Sequence, residues 1–177
     1  MSAAYNIILR ALEPSDVDLL FRWENDRSIW KVSNTITPFS RFILEQYIES
    51  SHQDIYHNKQ LRLMIDMAEN GKKYQTVGAV DLFDFDPLHL RAGVGILIYD
   101  DKLRNRGIAT AALNELIKYC SDILHLHQLY CNIAADNEAS MKLFKNAGFR
   151  LAGIKKDWIR KDDGFKDEAL LQLIFKE

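Results

Sequence analysis

Cysteine is scarce in this chain: Cys120 and Cys131 are the two present among 177 residues. Cys120 falls on a helical stripe and Cys131 in a strand-like run, so buried free thiols are expected rather than a disulfide or a metal pair. No metal site and a cytoplasmic address follow. No apolar run approaches the roughly 20 residues that span a bilayer. Residues Met1 to Tyr5 lack the charged and apolar segments of a secretory signal. There is no excess of charge either: 23 Lys and Arg against 25 Asp and Glu leave a net charge of −2, which argues against a nucleic-acid partner. Without repeats, low-complexity tracts or a Pro/Gly/Ser linker, residues 1–177 read as one domain, long enough for a real core. The hydrophobic content of 47% is that of an ordinary soluble globular protein.

Hydrophobic periodicity orders the elements. Asn6 to Leu12 reads as a strand, and Pro14 suits the first turn of a helix running to about Asp26. Thr37-Pro38 marks a second helix reaching about Ser51. Leu61, Leu63, Ile65 and Met67 alternate with Arg62, Met64 and Asp66, a period of two. Asn70-Gly71 signals a hairpin into a strand from Tyr74 to Phe85, and Asp86-Pro87 leads into another from Arg91 to Tyr99, completing an antiparallel meander. After Gly107 the period turns helical, with Ile108, Ala112, Leu116 and Cys120 on one stripe. Gln128 to Ala135 reads as a strand, and Asp136-Asn137 opens a helix that ends at Ala147-Gly148. Phe149 to Ile159 and Ala169 to Phe175 form an antiparallel pair around Asp163-Gly164. The expected order is β-α-α-β-β-β-α-β-α-β-β.

The stretch Arg104-Asn105-Arg106-Gly107-Ile108-Ala109-Thr110 joins an apolar strand to a helix. The first N–H groups of a helix lack internal partners and carry the positive end of its dipole, so a short basic loop with one glycine at that point is a seat for phosphate. The Gly-x-x-x-x-Gly-Lys and Gly-x-Gly-x-x-Gly spacings of nucleotide loops are absent.

In its context, Arg104-Asn105-Arg106-Gly107-Ile108-Ala109 resembles the acyl-CoA pyrophosphate loop of the GCN5-related N-acetyltransferase (GNAT) family. Asn137 to Phe149 resembles that family's Asn-x-x-Ala-x-x-Leu-Tyr-x-x-x-Gly-Phe block. Leu9 to Asp16 looks like the opening strand of the branch holding ribosomal-protein and spermidine acetyltransferases. The resemblance implies an α+β, three-layer fold, with a mixed, mostly antiparallel sheet splayed between its fourth and fifth strands and helices on both faces. It also implies acetyl-CoA as acetyl donor, with pantetheine lying in the splay. Backbone groups of Ile96, Leu97 and Ile98 would pair with pantetheine and polarise the thioester carbonyl. Arg104, Asn105, Arg106, Gly107, Ile108, Ala109 and Thr110 would seat the pyrophosphate, and Asn137 would bond the cofactor or cap the last helix.

Phe144 stands where many relatives place a tyrosine that protonates the departing thiolate. Phenylalanine has no proton to give; it reads as a core aromatic, and water, Tyr99 or Tyr130 remain as sources. Amine activation needs a carboxylate or histidine, for which Asp81, Asp84, Asp86 and His89 are candidates. Polyamine-acetylating relatives carry an acid at the place of Asp84, a His at that of His89, and a Glu where this chain has Gly93. The catalytic set carried forward is Asp84, His89 and Tyr99. Trp23, Glu24, Asp26, Trp30, Glu45, Tyr47 and Glu49, on the first two helices and their connection, suit a cationic amine. The expected chemistry is direct attack of a primary amine on the thioester. The acceptor is a small cationic amine such as a polyamine or amino sugar, with a protein N-terminus as the alternative. A non-catalytic CoA-binding module is the rival class. A homodimer is the default assembly.

Overall fold

The alternation around Leu61 to Met67 becomes the second of the seven strands that the described residues form in one sheet. The computed structural model describes residues 5–33, 35–69, 71, 73–161 and 164–176. Its elements are β1 (Tyr5–Arg10), α1 (Val17–Glu24), α2 (Arg27–Ser33), α3 (Arg41–Ser50), α4 (Ile55–Asn58), β2 (Leu61–Glu69), β3 (Gln75–Asp86) and β4 (Arg91–Ile98). They continue as α5 (Ile108–Asp122), β5 (Gln128–Ala134), α6 (Glu138–Asn146), β6 (Arg150–Lys161) and β7 (Gly164–Ile174). Strand order is β1-β2-β3-β4-β5-β7-β6, and every neighbouring pair is antiparallel except β4 with β5.

The fold matches the expected class, with corrections to its helices. Between β1 and β2 the described residues form four α-helices, not two. The segment after Asp26 continues as α2, and Asp54 caps the short α4 by accepting from the His57 N–H. Neither is long enough for an apolar stripe to announce it. The helix expected from Pro38 starts later, where Ser40 accepts from the Ile43 N–H at 3.2 Å and caps α3. Pro14 opens a 3-10 turn ahead of α1. Asn70 and Asp163 lie outside the described residues; Gly71 takes φ +75°.

Cross-strand register sorts side chains onto two faces. Ile65, Val80, Leu82, Val94, Ile98, Leu129 and Cys131 share one core with Ile108, Ala112, Leu113, Leu116 and Cys120 of α5. The stripe read from the sequence is thus the buried face of α5, each large side chain contributing about 1.5–3 kcal/mol. On the opposite face, Met64 and Ala79 pack beneath Leu12, Leu20, Leu44 and Ile48 from the N-terminal helical segment. Arg62, Asp81, Phe83, Gly93, Gly95 and Tyr130 follow by register on that same second face. Among the described residues no helix is long and apolar enough to cross a membrane.

Arg10 ties β1 to its neighbours. It donates from Nη1 and Nη2 to Asp16 at 2.7 and 2.9 Å, from Nε to Asp66 at 2.8 Å, and from Nη2 to Thr76 Oγ1 at 3.0 Å. Burial works against the Asp16 carboxylate. The Arg10 bonds and the Glu13 N–H outweigh it and hold its pKa below the usual value. A depressed folded-state pKa stabilises the fold above the unfolded carboxylate value near ~4, and that contribution is lost as pH falls through the lower folded value. Asp16→Asn is expected to cost about 1–3 kcal/mol at pH 7 and to flatten the fall in stability below pH ~4, read from urea unfolding midpoints against pH.

Candidate active site

Strands β4 and β5 are hydrogen-bonding neighbours only at Arg91 with Gln128, Ala92 with Leu129 and Gly93 with Tyr130. Beyond these pairs both strands continue but part. The Tyr99 N–H donates to the Val77 carbonyl at 3.1 Å, so backbone groups of Gly95, Leu97 and Tyr99 turn toward β3. Those of Val94, Ile96 and Ile98 turn into the gap. The matching wall is Asn132 and Ala134, because Phe175 donates to His127 and Ala135 to Asp167, turning the odd-numbered residues of β5 toward β7. Of the three β4 residues expected at pantetheine, Ile96 and Ile98 present backbone to the gap and Leu97 presents its to β3. The Ile98 carbonyl already accepts from Arg104 Nε at 3.0 Å.

At the open end of the gap lies the N-terminus of α5. Gly107 is its N-cap, with φ +81° and no side-chain cap. The first intrahelical bond is Ala111 to Gly107, so the N–H groups of Ile108, Ala109 and Thr110 precede it without helical partners. A Cβ at Gly107 would meet nothing within 4 Å, so the positive φ and not crowding by the protein calls for glycine. Asn105 shares the left-handed region at φ 59°. Arg104 pairs with Asp101, and Arg106 Nη1 reaches the Tyr5 hydroxyl at 3.4 Å; both are exposed. Asn137 caps α6, its Oδ1 accepting from the Ser140 N–H at 3.1 Å. Free N–H groups, a glycine turn and two strands with inward backbone are the donors that a pyrophosphate and a chain of amides require. The residues present fit acetyl-CoA.

On the second face lies a cavity of about 370 Å³, lined in part by Glu24, Tyr47, Arg62, Asp81 and Phe83. Arg62 sits between two carboxylates: Nη1 donates to Glu24 Oε1 at 2.5 Å, and Nε and Nη2 donate to Asp81 at 2.7 and 3.2 Å. Its guanidinium carbon lies 5.7 Å from the Tyr47 ring centroid. Burial opposes the Arg62 charge, but Asp81, Tyr47 and Glu24 keep it protonated. Two carboxylates against one guanidinium leave the cavity net negative. Beside it, Trp23 stacks on Tyr99 with centroids 3.8 Å apart, and burial raises the Tyr99 pKa. Arg62 carries no signal of its own in the sequence because it fills a polar slot of an alternating strand; its pairing across β2 and β3 follows from the register.

The remaining candidates separate. Asp84 is exposed at φ 48°, within the register shift between Phe83 and Asp86, and accepts from the Tyr130 hydroxyl at 3.0 Å. His89 lies in the exposed β3–β4 turn, its N–H bound to Asp86. Asp26 accepts from Ser28, and Trp30 Nε1 donates to the Glu24 carbonyl. Glu45 and Glu49 are exposed on α3. Phe144 is buried edge-on against Phe149, centroids 5.0 Å apart. Burial pushes the Cys120 and Cys131 thiols up to about 12, so neither is a nucleophile at neutral pH. Lys155 bonds Glu168 and Asn132, which accounts for part of the basic cluster on β6.

A strand–loop–helix phosphate seat opening onto a parted parallel pair defines an acyl-CoA-dependent transferase. The family model for the acetyltransferase (GNAT) domain matches residues 6–150. Spermidine N(1)-acetyltransferase of Vibrio cholerae serotype O1 is 26% identical over 143 residues, covering 81% of this chain and 78% of that protein. Its Escherichia coli K12 counterpart is 25% identical over 153 residues, covering 86% and 77%. The crystal structure of the Vibrio cholerae spermidine N-acetyltransferase in complex with CoA and spermine superposes with a TM-score of 0.83 at 23% identity, covering 95% of each chain. The chain belongs to the GNAT acetyltransferase family. It is an N-acetyltransferase whose acetyl donor is acetyl-CoA.

Gly93 departs from the polyamine-acetylating pattern for a steric reason. A Cβ there would lie 2.2 Å from the Phe83 ring, which covers the strand at that point. Gly93→Val is expected to cost about 1–3 kcal/mol through overpacking. Thermal denaturation should show most of that loss recovered in Gly93→Val/Phe83→Ala relative to Phe83→Ala alone.

Proposed function

We propose that this enzyme acetylates a primary amino group of a small, elongated polycationic amine, a polyamine of the spermidine class, by direct attack on the thioester. The observation that carries this is the net-negative cavity. Glu24 Oε1 and both Asp81 oxygens are engaged by Arg62, while Glu24 Oε2 has no hydrogen-bond donor among the described residues. A distal ammonium would meet that oxygen, with Tyr47 and Phe83 as apolar walls for methylenes. The named activities of the Vibrio cholerae and Escherichia coli relatives support the same acceptor.

Bound acetyl-CoA supplies an activated acyl group on a thiolate that leaves readily near neutral pH. Val94, Ile96 and Ile98 would hold its amide arm by strand-like pairing, and Ile108, Ala109 and Thr110 its pyrophosphate through their N–H groups. Arg104, Asn105, Arg106 and Gly107 shape that turn, and the Asn137 side-chain amide stands ready at the end of β5. Gly95 adds to this arrangement on the acceptor face. A Cβ there would make ordinary contacts, 3.9 Å from Asp81 and 4.0 Å from Phe83, so a side chain would fit. Its absence leaves bare strand between the acidic cavity and the gap, the path an amine would take. Tyr99, stacked on Trp23, lies close enough to feel the charges of Glu24, Arg62 and Asp81.

Further features fit a cytoplasmic enzyme that self-associates. Both cysteines are free and buried, as a reducing compartment allows. A structure of the Vibrio cholerae relative is described as dodecameric, with which a dimeric building unit is compatible.

Acetyl-CoA should raise the melting temperature, and Gly107→Glu should abolish that shift while the protein still folds. CoA release should be measured on polyamines, amino sugars and peptides with free N-termini. Turnover is expected on polyamines, with Glu24→Gln raising the polyamine KM about 10-fold, as loss of one charge-assisted contact would. Turnover on peptides alone would assign the enzyme to protein N-termini. Cofactor binding without turnover on any amine, which the missing hydroxyl at Phe144 makes worth testing, would make the chain a CoA-binding module.

A further inference from the structure

The leaving sulfur needs a proton, and Phe144 has none. We propose that Tyr130 is the proton donor to the departing CoA sulfur and that Asp84 recharges it. This rests on the acetyl-transfer chemistry but not on which amine is the acceptor.

Position comes first. The phosphate seat lies at the C-terminal end of β4, and the gap narrows from there toward the Gly93–Tyr130 pair, where the strands rejoin. An arm laid in the gap with its pyrophosphate on α5 carries its thiol end toward that closure. Tyr130 is the last residue of β5 paired with β4. Its ring stands edge-on to Phe83 at 5.9 Å, and Phe83 also lines the acceptor cavity. The Tyr130 ring therefore stands beside Phe83 at the pair that closes the gap, and its hydroxyl reaches across β4 to Asp84 on β3. Tyr99, just past the end of β4 and six residues from Gly93, lies about 20 Å further along the chain direction and stacks on α1 instead.

The chemistry of the pair agrees. Tyr130 donates to Asp84 Oδ2 at 3.0 Å. Burial, then the hydrogen bond and charge of Asp84, push the Tyr130 pKa up to about 12, so the hydroxyl keeps its proton at neutral pH. Arg91 on β4 is the other charge acting on it; it lowers the pKa and is itself paired with Asp86 at 3.1 Å. The β7 partner, Gln172, is uncharged. Asp84 holds φ 48°, a strained conformation for a non-glycine residue, at the irregularity that aims it toward β5.

The acceptor enters as a free amine, its ammonium proton having gone to water. The nitrogen–carbon bond forms, and the carbon–sulfur bond breaks with its electron pair going to sulfur. Tyr130 gives its Oη proton to that sulfur. Asp84 takes the second proton from the amine nitrogen and returns one to Tyr130 across the hydrogen bond.

The test uses the thiol of bound CoA, whose ionisation is followed by thiolate absorbance against pH, alongside steady-state kinetics. Tyr130→Phe keeps the ring on Phe83 and removes only the hydroxyl. It should leave the thermal shift by CoA intact, raise the midpoint of bound-thiol ionisation by about one pH unit, and lower kcat about 100-fold. Asp84→Asn keeps an acceptor for the hydroxyl but cannot carry a proton; it should lower kcat while the thiol midpoint stays near the wild-type value. Phe144→Tyr on the Tyr130→Phe background should restore part of kcat. An unchanged thiol midpoint in Tyr130→Phe would overturn the assignment, as would loss of the CoA thermal shift in that variant, which would mark Tyr130 as structural. Absence of a CoA shift in the wild-type protein would instead remove the acetyl-transfer basis itself.

Discussion

The short parallel contact between β4 and β5 is the constraint on which the rest of the molecule depends. Three residue pairs join the two halves of the sheet. Beyond them the inward backbone groups of Val94, Ile96, Ile98, Asn132 and Ala134 have lost the neighbour that a continuous sheet would supply. Backbone donors and acceptors left without partners are costly when dry, so such a gap favours a wet groove or a ligand with its own amides. One feature thus sets the shape of the ligand, its direction and its chemistry. The Arg104 bond to the Ile98 carbonyl closes the one acceptor nearest the loop and fixes the basic turn against the strand it follows.

The two faces of the sheet then divide the work. One face is dry and aliphatic, where α5 is clamped by Ile108, Leu113 and Leu116 so that its N-terminus stays fixed over the gap. The other carries polar groups between the strands and the N-terminal helices. An isolated buried carboxylate would be expensive there, and Glu24 and Asp81 persist because Arg62 compensates them while remaining one charge short. Arg10 repeats the arrangement one strand over, between Asp16 and Asp66. The difference is exposure to a cavity: the Arg10 cluster ties β1 to the turn before α1, whereas the Arg62 cluster lines a space that an amine can enter.

Periodicity reveals elements whose side chains repeat, and it made α5, the meander and the last two strands legible. The short α2 and α4 are stabilised by caps and tertiary packing, and they left no stripe to read. The loop Arg104–Thr110 was legible because phosphate binding uses backbone, and glycine marks where backbone must turn. The acceptor side was harder, because it is built across strands. Glu24, Arg62 and Asp81 lie 38 and 19 positions apart, and their meeting is fixed by register alone. Gly93 looked like the loss of a functional carboxylate; its contact with Phe83 shows it to be a packing requirement as well.

Two departures from the family pattern lie on opposite faces of the sheet. Phe144 on α6 has no hydroxyl, and its buried ring completes an edge-on pair with Phe149. Gly93 gives up a carboxylate on β4 and admits Phe83, whose ring in turn supports Tyr130. If the proton donor had to remain on α6, burying Phe144 would simply disable the enzyme. With Phe83 resting on Gly93, however, a tyrosine on β5 is held at the closed end of the gap and bonded to a carboxylate on β3. The proton source can then move from a helix to the sheet while the donor seat, which is made of backbone, stays where it was. Side-chain functions can migrate across a scaffold of this kind because the cofactor seat is made of strand edges and a helix end, whose backbone groups do not depend on the side chains at positions 93, 130 and 144.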